Sequence, residues 1–140
     1  MLPAKKINPG NFRRYGLVIA CPAKAKAKKN SIFSIVLTQP DALGWRLAHL
    51  LLRDKSVDYL ERHTDSFESF EPLKGRALLY LAERKDPKRI SCFYLDEPVI
   101  LRKGIWHAVV TLSKESEIKI TENARVKCGY WRPGFRLGAV

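Results

Sequence analysis

Short runs rich in β-branched and aromatic residues recur along the chain, separated by clusters of Gly, Pro, Asp or Asn: SIFSIVLT (31–38), SVDYLERH (56–63), RALLYLAE (76–83), ISCFYLDE (90–97), PVILR (98–102), IWHAVVTL (105–112) and SEIKITE (116–122). Segments of this length and composition read as strands, because side chains branched at Cβ pack well on a pleated surface and the breakers turn the chain back on itself. Many strands at such short spacing imply a sandwich or barrel, and at 140 residues a jelly roll is the natural closure. The helical candidate is DALGWRLAHLLLRD (41–54), where Asp41 caps a first turn and Ala42, Trp45, His49 and Leu52 share a face; its second half is read as a strand. The expectation is an all-β fold with minor helical content, in a single domain over residues 1–140.

A hydrophobic content of 46% supports a buried core and argues against disorder. Cys21, Cys92 and Cys128 are odd in number and share no CxxC spacing, so neither a disulfide framework nor a structural zinc site is indicated, and a reduced compartment is expected. The first residues carry positive charge but only a short apolar run, and no stretch approaches the ~20 apolar residues of a membrane span. A cytoplasmic protein with no membrane partner is expected.

The net charge of +12 is lopsided, with eight Lys or Arg and no acid in residues 1–30. The segment PAKAKAKKN (22–30) is a basic loop between the apolar runs YGLVIA and SIFSIVLT. It reads as a solvated connection. Steering of an anionic substrate or contact with nucleic acid phosphates is the alternative, but no aromatic residues interleave these lysines and no nucleic-acid motif appears elsewhere, so no nucleic acid partner is expected.

The stretch YLERHTDSFESFEPLKG (59–75) concentrates chargeable groups where a buried strand should be apolar. Strand side chains alternate, which puts Tyr59, Glu61 and His63 on one face and Leu60 and Arg62 on the other. If that face is the barrel interior, Glu61 and His63 are costly there unless they bind something. Glu68 follows His63 by five residues, enough to turn back toward the same pocket, and LRKGIWHAVV places a turn at Gly104 and His107 at the head of an apolar strand. Among the remaining polar positions, His49 reads as structural, Glu71 as a solvated strand end and Glu122 as surface. Trp106 reads as packing on the outer face, and Arg102 and Lys103 as turn-flanking charges or as contacts for a substrate carboxylate at the pocket mouth.

This pattern resembles the two cupin motifs, His-x-His followed after three or four residues by Glu, and a distant Gly-x-x-His, with Glu61 standing where the first histidine usually stands. More closely, NFRRYGLVI, LERHTDSFESFEPL and LRKGIWHAVVTL are similar to the FxxFGxVI, ERHPxxSQAFIPL and RGVWHxPLxxL of the ureidoglycolate lyase branch of cupins. The similarity runs from Phe12 to about Ile120. It departs at Glu68, where the family has glutamine, at Glu71, where the family is apolar, and in the ending ENARVKCGYWRPGFRLGAV.

The resemblance implies a double-stranded β-helix and a metal site built from Glu61, His63, Glu68 and His107. It suggests nickel, and the mixed carboxylate and imidazole ligands also suit manganese, iron or zinc. It further implies a homodimer and a lyase of purine catabolism, releasing urea and glyoxylate from ureidoglycolate or acting on a related small anionic hydroxy acid. In that reading Glu68 shuttles the hydroxyl proton, and Tyr59 or Lys103 donates to the leaving nitrogen. The alternatives are a non-catalytic or metal-free cupin binding a small acid or sugar, and a basic nucleic-acid-associated protein.

Overall fold

The computed structural model describes residues 2–26 and 30–138, so Lys28 and Lys29 of the basic run lie outside the described residues. The strands build two sheets and a small separate pair. In the six-stranded sheet the order is β1 (Ala4–Lys6), β8 (Ser91–Tyr94), β7 (Ala77–Ala82), β10 (Trp106–Thr111), β5 (Leu60–His63), β12 (Cys128–Trp131). The five-stranded sheet runs β2 (Gly16–Val18), β9 (Val99–Leu101), β6 (Glu68–Lys74), β11 (Ser116–Asn123), β3 (Trp45–Leu52), while β13 (Leu137–Gly138) pairs with β4 (Ser56–Val57). From β5 to β12 the chain crosses between the two sheets at each step except the β7–β8 hairpin. This alternation is the jelly-roll, or double-stranded β-helix, connectivity. The helical content is minor, with α1 (Pro9–Phe12) and α2 (Ala23–Lys26) of one turn each.

Alternation along each strand divides the apolar side chains between two clusters. Leu79, Leu81 and Phe93 of the larger sheet meet Phe70, Val99, Leu101 and Ile118 of the smaller one in the core between the sheets. Leu78, Tyr80, Ala82, Trp106, Val110 and Leu60 point the other way and are buried with Leu137 and partly buried Val57 and Trp131. All six residues of β7 are therefore buried, which is why ALLYLA reads as a continuous apolar run rather than an alternating one. Trp106 does pack on this outer face, under the Arg62 guanidinium 4.5 Å from its ring centroid.

Three sequence expectations differ from the structure. Residues 31–38 are not a strand: Phe33 and Ile35 are 92% and 71% exposed, and the run pairs with no strand among the described residues. β-Propensity reflects a fit to a half-buried pleated surface and does not create one. The helix expected from Asp41 is absent, because Gly44 takes φ +68 and the chain enters β3 at once, with Asp41 accepting a hydrogen bond from the Gln39 amide at 2.8 Å. The described part of the basic run is not wholly loop, since Ala23–Lys26 form α2. Among the described residues, no helix is long and apolar enough to cross a membrane.

Gly16 marks where β2 lies hardest against β9. A Cβ there would overlap the Ile100 carbonyl oxygen and lie 2.9 Å from its carbon, so backbone would have to move. Gly16→Ala is expected to cost about 3 kcal/mol of stability, read as a lower denaturant midpoint at unchanged m-value.

Candidate functional site

Register brings polar residues of five strands together. His107 sits directly opposite Glu61 across the β10–β5 pair, Cys128 opposite His63 across β12–β5, and Glu122 opposite Glu68 across β11–β6. Gly104, at φ +81, makes the turn into β10, and its N–H donates to the His63 carbonyl at 2.7 Å. That bond ties the end of β5 to the start of β10 and fixes the two histidines relative to one another, with ring centroids 5.3 Å apart.

The contacts are close and enclosed. His107 Nε2 lies 3.0 Å from Glu68 Oε1 and 3.6 Å from Glu61 Oε1. His63 Nε2 lies 3.3 Å from Glu68 Oε1, 3.6 Å from Glu122 Oε1 and 4.0 Å from Glu61 Oε1. His63, Glu68 and His107 are all buried and offer atoms within 4.8 Å of one another, a spacing that could hold a metal ion; Glu61 shares a second such group with His63 and Cys128. Glu61 stands on the flank, its side chain 31% exposed against 8% for Glu68.

The hydrogen-bonding state of His107 is decided by its neighbour. Its Nδ1 lies 3.0 Å from the Ile105 carbonyl, which can only accept, so Nδ1 carries a proton. The other nitrogen then faces two carboxylates, and an uncharged imidazole would turn a lone pair toward them. A proton or a cation must sit between. Burial by itself would lower the His107 pKa, but the charge of Glu68 and the close approach of the Glu61 and Glu68 carboxylates outweigh it and push it up to about 10. Burial works in the opposite direction on Glu68, whose two imidazole partners hold its carboxyl well below the ordinary range. His63 is raised against its own burial by Glu68, and Glu61 is lowered chiefly by its close approach to His107.

A cavity of about 190 Å³ opens beside this cluster, lined by Tyr59, Glu61, Glu68, His107 and Asp54 with apolar side chains such as Phe70. Among the described residues, no lysine or arginine lines it. Tyr59 is thus on the cavity wall, its ring 5.8 Å from that of Tyr130. Lys103 is not; its ammonium rests 5.2 Å from the Phe67 ring centroid.

Two members of the cluster were missed in the sequence. Glu122, expected at the surface, is 9% exposed, and its Oε2 is held by the Arg46 guanidinium at 2.6 and 2.8 Å. Cys128 places its Sγ 3.5 Å from His63 Nδ1. The alternation of SEIKITEN was the available signal for Glu122, since Ile118, Ile120 and Glu122 must share a face. His49 and Glu71 lie away from the cluster, paired with Glu117 at 2.8 Å and Lys119 at 3.2 Å.

A two-sheet jelly roll with two histidines and acidic side chains gathered inside the barrel defines a cupin. Within that class, the family model described as ureidoglycolate lyase matches residues 1–128, and the chain belongs to that family. The match continues past Ile120 and takes in both Glu122 and Cys128. No curated protein matches the chain. Similar solved structures include two of Bacillus subtilis oxalate decarboxylase, concerned with its Mn(II) centres and its structure at pH 4.6, and one of an oxalate decarboxylase concerned with substrate binding mode and a reaction-specificity switch. Each is 11% identical over 64% of this chain at a TM-score of 0.47, and this chain spans only 23–24% of their length.

Proposed function

We propose that this protein is a metal-dependent ureidoglycolate lyase, or acts on a closely related small hydroxy acid, with a divalent ion held by His63, Glu68 and His107 and flanked by Glu61. The observation that carries the reading is the buried His107 Nε2, which has no hydrogen-bond partner although its tautomer aims it at Glu68 Oε1, an atom equally unpartnered. Polar atoms left so are rare in folded proteins, and a cation would satisfy both. Nitrogen and oxygen donors together suit nickel, manganese, iron or zinc, nickel being the family's suggestion.

The cavity walls support the same reading. With Asp54, Glu61 and Glu68 lining it and no lysine or arginine among the described residues, the cavity by itself repels an anion. A bound divalent ion would reverse that field and supply Lewis acidity toward the hydroxyl and carboxylate oxygens of the substrate. Glu68 receives the hydroxyl proton, and Glu61, partly exposed on the same wall, passes it to water. As the carbon–oxygen bond becomes the carbonyl of glyoxylate, the carbon–nitrogen bond breaks and its electron pair leaves on urea nitrogen. Tyr59 is placed to protonate that nitrogen; Lys103, away from the cavity wall, is the less favoured donor.

The homodimer we propose would use the unpaired edge strand β3, whose Trp45, Leu47 and Leu51 are 72%, 58% and 41% exposed. Cytoplasmic residence is supported by Cys21, Cys92 and Cys128 all being free.

Metal-loaded protein incubated with ureidoglycolate is expected to release glyoxylate and urea, and chelation should cut the rate at least about a hundredfold, the scale on which a lost electrostatic stabiliser acts. Full metal occupancy with no glyoxylate formed would leave a cupin that binds a small acid or sugar without turning it over.

A further inference from the structure

We propose that Glu122 is a further coordinating carboxylate of this centre, and that Arg46 is the positioning residue that aims it. The proposal rests on the metal-binding reading above and adds a ligand from a fourth strand.

Glu68, Glu122 and Arg46 occupy one rung of the smaller sheet, since Glu122 is the register partner of Glu68 on β6 and of Arg46 on β3. Two carboxylates on neighbouring strands of a buried face repel one another, and such pairs persist where something positive lies between or beside them. Arg46 accounts for half of this. Its fork grips Glu122 Oε2 at 2.6 and 2.8 Å, which turns the other oxygen inward. Glu122 Oε1 then stands 3.6 Å from His63 Nε2, buried and without a hydrogen-bond partner. A surface ion pair would leave that oxygen to water. Here the side chain is only 7% exposed, and three of the four buried unpartnered side-chain atoms among the described residues, Glu68 Oε1, His107 Nε2 and Glu122 Oε1, belong to residues gathered around the same two imidazoles, the fourth being Arg62 Nε.

Charge reaches the same answer by an independent route. Glu61, Glu68 and Glu122 bring three negative charges to the centre, and Arg46 one positive. A divalent ion with neutral His63 and His107 makes the assembly neutral, which a low-dielectric interior favours over any net charge.

The test is to titrate wild type, Glu122→Gln and Glu122→Asp with Ni²⁺ by calorimetry and to record the visible spectrum of each loaded with Co²⁺. The glutamine amide still accepts from Arg46 but is a poor ligand, so its Kd for Ni²⁺ should rise at least about tenfold. Aspartate keeps the charge and withdraws the carboxylate by one methylene. It should weaken binding as well, and both variants should shift the Co²⁺ bands. Circular dichroism in chelator establishes that each variant is folded; if one is not, the other carries the comparison. Wild-type affinity and an unchanged Co²⁺ spectrum in the variants would overturn the proposal while leaving the metal centre standing. A wild type that binds none of nickel, manganese, iron, zinc or cobalt would overturn both.

Discussion

His107→Ala should destabilise the metal-free protein by about 3–5 kcal/mol, the usual cost of removing one partner from a buried ion pair. His107 is 5% exposed and lies within 3.0 Å of Glu68 Oε1, so alanine leaves that buried carboxylate with His63 as its remaining close cation. Against a total stability of roughly 5–15 kcal/mol this is a large fraction, visible as a lower denaturant midpoint in chelator. The same variant should lose the stabilisation conferred by metal. In wild type that amounts to about 2.7 kcal/mol at a hundredfold excess of ion over its dissociation constant, or about 10 °C in Tm for a chain of this size. Glu61→Gln should keep part of it, because Glu61 stands on the flank at 3.6 and 4.0 Å from the two imidazoles and is partly exposed. A His107→Ala protein as stable as wild type in chelator, or one whose Tm still climbs with added metal, would remove His107 from the centre.

Much of this architecture was legible in the chain because the strand period is rigid. Glu61 and His63 had to face the same way, Leu60 and Arg62 the other, and the structure places them so, with Leu60 fully buried in the outer cluster. The turn at Gly104 could be read as well, since it announces the strand that carries His107. What escaped the sequence depends on pairing between distant segments. Glu122 reads as surface in the sequence although the alternation of SEIKITEN sets it on the face of Ile118 and Ile120; what that pattern does not report is that β11 lies between β6 and β3, which brings Glu122 beside Glu68. Cys128 enters the site through its register with His63, 65 residues away in the chain. Residues 31–38 failed in the opposite sense, with composition favouring a strand that pairs with no sheet edge among the described residues.

The protonation of this cluster predicts opposite responses to pH in the metal-free and metal-loaded protein. In the metal-free state His107 holds its proton up to about 10, against 6.5 when unfolded. A group whose pKa is raised on folding stabilises fully below its unfolded value and loses that contribution as pH climbs toward the folded one. Stability in chelator should therefore fall steadily between pH 6.5 and about 10, and His63, raised in the same direction, adds to the slope. Glu68 is shifted the other way, so its contribution is complete above its ordinary 4.5 and is lost as pH drops below that. Metal-free stability should thus be greatest between 4.5 and 6.5. An ion at His107 Nε2 must displace the proton, so each proton released raises the apparent affinity about tenfold per pH unit across the same window in which the metal-free protein weakens. Thermal melts at a series of pH values, with excess Ni²⁺ and with chelator, should diverge from pH 6.5 upward, the loaded protein gaining on the chelated one. Parallel curves across that range would mean that no proton is traded for metal at His107, and the centre would have to be sought on the Glu61, His63 and Cys128 side of the cluster instead.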